Sequence, residues 1–259
     1  MRLPIYQVDA FTDEVFHGNP AAVVLLEREL PAATLQGIAA ENNLSETAFV
    51  QSVGDRFQLR WFTPTTEVDL CGHATLATAH VLFELDRVPG PRAVFDTLSG
   101  ELVVTRSDEG YTLDFPSRPP EPAEITVPLI QALGKTPREV LQARDLLVVF
   151  DSEEDVQGLE PEMGRIAALD VFAVTVTAPG RAVDFVSRFF APARGVPEDP
   201  VTGSAHCTLT PYWSRRLGKT KLRARQLSRR GGELACELRG ERVLITGRAV
   251  HYLEGMIDV

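Results

Sequence analysis

Two short segments of this 259-residue chain hold the groups best suited to chemistry on a small anion: Cys71-Gly72-His73-Ala74-Thr75 and Thr202-Gly203-Ser204-Ala205-His206. In each, a Gly opens an apolar stretch long enough for a helix. The first N–H groups of a helix have no internal partner, and the dipole makes that end positive. The small residues there, Gly72 and Ala74 in one, Gly203 and Ala205 in the other, let a ligand reach the backbone. Such ends bind a carboxylate or similar anion. The plainer reading of either glycine alone is tight packing. His73 can hydrogen-bond a substrate or shuttle a proton, and the dipole favours its neutral form. Ser204, at the matching place, offers a hydroxyl for substrate binding. Its surroundings are not the G-x-S-x-G elbow of a hydrolase nucleophile.

Glu46 and Asp199 are the candidate proton-transfer groups. Glu46 stands between Ser45 and Thr47, just before Ala48-Phe49-Val50. A carboxylate leaning into an apolar cleft is desolvated, which makes it a usable base near neutral pH. Asp199 lies in Pro197-Glu198-Asp199-Pro200, ahead of the second glycine turn. Taken alone, either carboxylate reads as a solvated surface charge. Cys71 stands where a thiol of a cofactor-free epimerase would. Such an enzyme needs a thiol on each face of the substrate carbon, and the matching position holds Thr202. Cys71, Cys207 and Cys236 are read as small buried residues. Histidines 17, 73, 80, 206 and 251 show no zinc-type spacing with cysteine. Neither a G-x-G-x-x-G nor a P-loop is present. No metal and no organic cofactor is expected.

These segments end a longer repeat. Arg60-Trp61-Phe62-Thr63-Pro64 leads through an acidic stretch to Cys71, and Arg188-Phe189-Phe190-Ala191-Pro192 leads through another to Thr202. The copies stand about half the chain apart, far beyond the roughly 20–50-residue period of a solenoid. A duplicated domain follows, with the two loop-to-helix junctions expected to face one site. Residues 72–86 and 203–217, the latter carrying Pro211, read as the two buried central helices. Strands are expected at 3–11, 21–26, 44–50 and 57–62, three more over 93–115, then 145–150, 171–177 and three at the end. Further helices are expected at 31–42 and 128–133, and Pro116 to Pro128 is a linker rich in Pro and Glu. The fold class is α+β. Two duplicated domains, 1–116 and 117–259, each curl a mostly antiparallel sheet around one helix, with the last strand free to return to the first domain.

Hydrophobic residues make up 44% of the chain and the net charge is −10. This composition suits a soluble globular protein and argues against non-specific nucleic-acid binding. No apolar run nears the roughly 18 residues of a membrane span. The N-terminal MRLPIYQVDAF reads as a strand, without the apolar core of a signal peptide. Three scattered cysteines speak against a disulfide framework and for the reducing cytoplasm. Lys219 to Gln226 alternates charged residues with Thr220, Leu222, Ala224 and Gln226, the pattern of a half-exposed strand. No aromatics interleave it for base stacking.

Several motifs together resemble the PhzF family of phenazine-biosynthesis-like isomerases. They are Asp9-Ala10-Phe11-Thr12, Gly18-Asn19-Pro20-Ala21-Ala22-Val23, Leu44-Ser45-Glu46-Thr47, Phe62-Thr63-Pro64, Cys71-Gly72-His73-Ala74-Thr75 and Glu198-Asp199-Pro200-Val201-Thr202-Gly203-Ser204-Ala205. The resemblance implies a diaminopimelate-epimerase-like fold and cofactor-free proton transfer. It puts the catalytic glutamate at Glu46, with His73, Asp199 and Ser204 as further active-site residues. Cys71 departs from that pattern toward the epimerase branch. The expectation is a cytoplasmic, cofactor-independent isomerase acting on a small carboxylate or amino-acid-like substrate. Glu46 removes a proton, His73 or Asp199 returns one elsewhere, and Gly72, Ala74, Gly203, Ser204 and Ala205 hold the carboxylate. The alternatives are an amino-acid epimerase or racemase, and a non-catalytic small-molecule binding protein. A small carboxylate is the expected partner, with neither nucleic acid nor membrane; a homodimer is left open.

Overall fold

Strand β1 (Arg2–Ala10) buries Leu3, Ile5, Tyr6 and Val8, and pairs antiparallel with β2 (Asn19–Leu26). A crossover through α1 (Ala32–Asn42) brings β3 (Glu46–Val53) parallel to β2. β4 (Arg56–Phe62) returns antiparallel and turns into the short β5 (Glu67–Val68). Helix α2 (Gly72–Glu84) then leads to β6 (Arg92–Thr97), which lies parallel to β4. β7 (Gly100–Ser107) and β8 (Gly110–Pro116) follow antiparallel.

The same order recurs downstream. After β9 (Glu121–Pro122) and α3 (Val127–Leu133), β10 (Glu139–Gln142) pairs antiparallel with β11 (Leu146–Val149). Two short helices, α4 (Glu153–Gln157) and α5 (Met163–Ala167), cross to β12 (Val174–Pro179), parallel to β11. β13 (Phe185–Ala191) runs antiparallel to β12 and pairs with β14 (Val196–Asp199). Helix α6 (His206–Leu217) leads to β15 (Lys221–Gln226), parallel to β13, and β16 (Gly232–Arg239) pairs antiparallel with it. β17 (Arg242–Gly247) and β18 (Ala249–Asp258) close the chain, and β18 pairs with β1 from Arg2↔Asp258 to Ala10↔Ala249.

The computed structural model describes all 259 residues. They divide into two units, Met1–Asp114 with Thr246–Val259, and Phe115–Ile245. No helix is long and apolar enough to cross a membrane.

Each unit has a central helix that its sequence makes buried. Every residue from His73 to Phe83 in α2 is buried. The hydroxyls there are satisfied locally: Thr75 donates to the Cys71 carbonyl (2.6 Å) and Thr78 to the Ala74 carbonyl (2.7 Å). In α6, Pro211 has no N–H to give the Cys207 carbonyl four residues back. The backbone N–H of Arg118 donates to that carbonyl instead, at 2.8 Å. Gly218, at φ 67°, ends the helix in the left-handed conformation.

Burial leaves titration signatures. Desolvation pushes His80 and His206 down to about 4. A contact with His251 adds to the effect at His80, and the Thr202 carbonyl opposes it at His206. The unfolded chain therefore binds protons from pH 6.5 downward that the folded one accepts only near 4. Stability is full above pH 6.5 and falls as pH drops toward 4, by on the order of 3 kcal/mol per histidine. Urea titrations at pH 7.5 and 4.5 should show this loss, and a constant unfolding free energy would refute it.

Asp145 acts in the opposite sense. It is 4% exposed, and desolvation raises its carboxyl to about 6 against the pull of Arg144 and Arg118. Its contribution is present below pH 3.8 and lost as pH rises through 6. Asp145→Asn should raise the unfolding free energy at pH 8 by about 1–3 kcal/mol and leave it nearly unchanged at pH 4. Equal effects at the two pH values would assign Asp145 a packing role only.

Candidate active site

The first junction assembles at the strand ends beside α2. Glu46 is the first residue of β3, opposite Ala21 on β2. His73 is the second residue of α2, and Cys71 precedes that helix in extended conformation. His73 Nε2 lies 3.2 Å from Glu46 Oε2, a close contact not aligned as a hydrogen bond. Catalytic hydrogen bonds are commonly loose until substrate closes on them. On the other side of the ring, Nδ1 lies 3.2 Å from the Asn19 amide nitrogen and 3.5 Å from Cys71 Sγ. All of this is nearly out of water: the side chains of His73 and Glu46 are 6% and 16% exposed. Burial pushes the His73 imidazolium down to about 3, so the ring is neutral at any working pH. The sequence reading expected a neutral His73 but credited the helix dipole, whereas desolvation is the cause.

Glu46, Cys71 and His73 each offer a ligand atom, all within 4.8 Å of one another. Their donor types would suit a thiophilic divalent cation. Cys71 Sγ and Glu46 Oε2 sit nearest to opposite nitrogens of the His73 ring. The Cys71 side chain does not cap the start of α2, and the first N–H groups of a helix have no partner within it.

The second junction differs in detail. Gly203–Ala205 form a 3-10 turn, and α6 proper begins at His206, so Gly203 does not open an α-helix as expected. The Thr202 side chain does not cap this turn. Asp199 ends β14, and its Oδ2 accepts from the Thr202 hydroxyl at 2.5 Å. Gly203 and Ala205 are buried and Ser204 is half-buried. Asp199, Thr202, Gly203, Ser204 and Ala205 thus lie on one turn; Glu46, Cys71, Gly72, His73 and Ala74 gather in the first unit.

A residue missed by the sequence reading holds the second turn. Gln226, fully buried at the end of β15, donates to the Asp199 carbonyl (2.7 Å) and the Thr202 hydroxyl (3.1 Å), and accepts from the Thr202 N–H (2.9 Å). Its signal was available. In the alternation of β15 it falls on the inward parity with Leu222 and Ala224, where a glutamine needs partners.

The backbone supports of the two junctions match. Four residues into each, a side chain caps the same carbonyl: Thr75 Oγ1 on Cys71 O, and His206 Nδ1 on Thr202 O at 2.9 Å. Two residues before each, a serine hydroxyl holds the chain: Ser99 on the Asp69 carbonyl (2.7 Å), Ser228 on the Pro200 carbonyl (2.8 Å). The repeated arginines also match. Arg60 grips both carboxylate oxygens of Glu67 (2.7 and 2.8 Å), and Arg188 those of Glu198 (2.7 and 3.1 Å). The Arg60 guanidinium holds the Glu67 carboxyl below the usual carboxylate range.

Solved epimerases share this fold. A solved hydroxyproline epimerase from Agrobacterium vitis shares it over 99% of this chain and 91% of that one, with a TM-score of 0.65. At 13% identity the likeness is one of fold. Nearer relatives are more specific. A crystal structure of a PhzF-family phenazine biosynthesis protein from Enterococcus faecalis covers 100% of both chains at 50% identity, with a TM-score of 0.98. An uncharacterised isomerase of Pseudomonas aeruginosa is 55% identical over 258 residues, 99% of each chain. A human phenazine biosynthesis-like domain-containing protein is 42% identical over 286 aligned positions, again 99% of each. The family model for phenazine biosynthesis-like proteins matches residues 8–255. The chain belongs to this PhzF family, and with its relatives it is an enzyme of the isomerase class.

Gln226→Leu tests the support of the second turn. It keeps the volume but leaves the Thr202 amide and the Asp199 carbonyl unpartnered. Unfolding free energy should drop by about 1–3 kcal/mol, and the Thr202 amide should exchange with solvent faster. Unchanged exchange at Thr202 would show that the turn holds itself.

Proposed function

We propose that this enzyme isomerises a small carboxylate or amino-acid-like substrate by proton transfer, without a cofactor, and that Glu46 is its general acid/base. The observation that carries this reading is the Glu46 carboxylate set 3.2 Å from a neutral imidazole in a nearly dry pocket. Burial disfavours the charged form of a carboxylate and so favours its taking a proton, and a neutral neighbour lacks the full positive charge that would oppose this. The carboxylate takes a proton from an acidic carbon, and the electron pair left behind moves through the adjacent unsaturation. The resulting carboxylic acid, or Asp199, returns a proton to a second carbon. His73 holds its proton too weakly as imidazolium to be the donor acid near neutral pH, so its role in this scheme is to bind and orient. Backbone donors of Gly72 and Ala74, with Gly203, Ser204 and Ala205, are proposed to hold the carboxylate.

Epimerisation is the second reading, favoured by the Cys71 thiol beside His73. It lacks a second thiol, since the matching Thr202 hydroxyl is spent on Asp199. A non-catalytic binding protein would need neither the Glu46–His73 contact nor its burial.

Glu46→Gln should fold and bind small carboxylates like the parent while losing at least about 10²-fold in turnover. A panel of small carboxylates incubated in D₂O supplies the assay. Isomerisation places deuterium on a new carbon, whereas epimerisation exchanges only the original stereocentre. Turnover of Glu46→Gln within a few-fold of the parent would remove Glu46 from the mechanism.

A further inference from the structure

We infer that Asn19 is a positioning residue that sets the tautomer of His73, keeping the ring proton on Nε2, against Glu46. The Asn19 amide nitrogen can only donate, so Nδ1, 3.2 Å away, must accept; the opposite tautomer would also set a bare Nε2 against the acceptor-only Glu46 carboxylate 3.2 Å away. A neutral imidazole has one N–H, which leaves Nδ1 bare as an acceptor. The two groups that reach Nδ1 can both donate to it: the Asn19 amide nitrogen at 3.2 Å and the Cys71 thiol at 3.5 Å. Asn19 is the stronger donor, and the more firmly placed.

That placement is built into the backbone. Asn19 is fully buried and opens β2 in register with Ala10. The loop before it carries three left-handed residues, Phe11 (φ 65°), Phe16 (φ 72°) and Gly18 (φ 63°). Asp9, itself 2% exposed, accepts from the Phe16 N–H at 2.8 Å. Any side chain at Gly18 would strike the Ala10 carbonyl. Conformations this costly persist only where the surroundings over-determine them, and here they deliver one amide to one ring nitrogen. The consequence for the reaction rests on Glu46 being the base. With the N–H pinned toward it, Glu46 is held as an oriented anion. With the opposite tautomer, a bare Nε2 would face the carboxylate, repel it, and release the pair.

The tautomer can be read directly on the full-length protein, without a substrate, by ¹⁵N NMR of labelled histidine assigned through a His73→Gln control. The wild type should show His73 Nδ1 as the bare nitrogen and Nε2 as protonated across pH 5–9. Asn19→Asp, which turns the donor into an acceptor, should reverse the assignment; Asn19→Ala should leave a mixture. A wild-type ring protonated on Nδ1, or an unchanged tautomer in Asn19→Asp, would overturn the inference. Where a turned-over substrate is in hand, Asn19→Asp should lower kcat by about 10-fold or more with KM within threefold, the range of a misplaced catalytic group. The two readings fail separately. Full activity in Glu46→Gln would refute the base and leave the tautomer standing, whereas the wrong wild-type tautomer would refute Asn19 whatever Glu46 does.

Discussion

Each unit depends on one arginine that ties a core strand to the hairpin after it. Arg60 on β4 and Arg188 on β13 both grip a glutamate in the returning segment through two hydrogen bonds. Bidentate pairs of this kind fix direction as well as distance. Each guanidinium also lies over the ring of the Phe two residues on, 5.2 Å from Phe62 and 5.0 Å from Phe190. Arg188 further donates to the carbonyls of Val156 and Leu159, joining the end of α4 to the sheet. From that anchor the chain has only a few residues in which to reach its central helix, so the place of the helix start is set by the ion pair. Losing either partner would strand a poorly solvated charge at the root of the turn.

The two junctions then show what duplication kept and what it changed. The carbonyl caps at Thr75 and His206 and the serine ties at Ser99 and Ser228 are matched one for one. These contacts are all to backbone, and they hold the shape of the turn whatever side chains it displays. The displayed groups diverged: a thiol and an imidazole in the first unit, two hydroxyls and a carboxylate in the second. One scaffold thus presents different acid–base characters, set by environment as much as by residue type. Cys207 and Cys236 make the contrast plain, since burial lifts their thiols to about 11 and about 12 and makes them inert.

Much of this was legible in the residues. The two glycine junctions, the buried runs after them and the duplicated order were marked by type and spacing, whereas Glu46 was placed in the site with His73 by the family resemblance. What escaped had physical reasons. Helices α4 and α5 are five residues each, too short to show periodicity, though Ser152 and Asp155 form a reciprocal cap visible as S-x-x-D. The short β9 and β10 pair through the expected linker, because Ala123 donates to the Val140 carbonyl. The 3-10 opening of α6 follows no residue rule. Gln226 and Asn19 act through partners far away in sequence, and their partners were not readable without the fold.

The pairing of β18 with β1 has a consequence for the order in which the protein forms. The first unit is discontinuous: residues 246–259 complete a sheet begun at residue 2, and all of the second unit lies between. A ribosome therefore finishes residues 115–245 before it delivers the strand that closes the earlier half. The half made first is completed last. Contacts this distant along the chain are slow to form, so β1 emerges with its edge bare and waits through most of synthesis for its partner. During that interval the exposed strand is a template for wrong pairings, and the unit that carries Glu46 and His73 is the one left open.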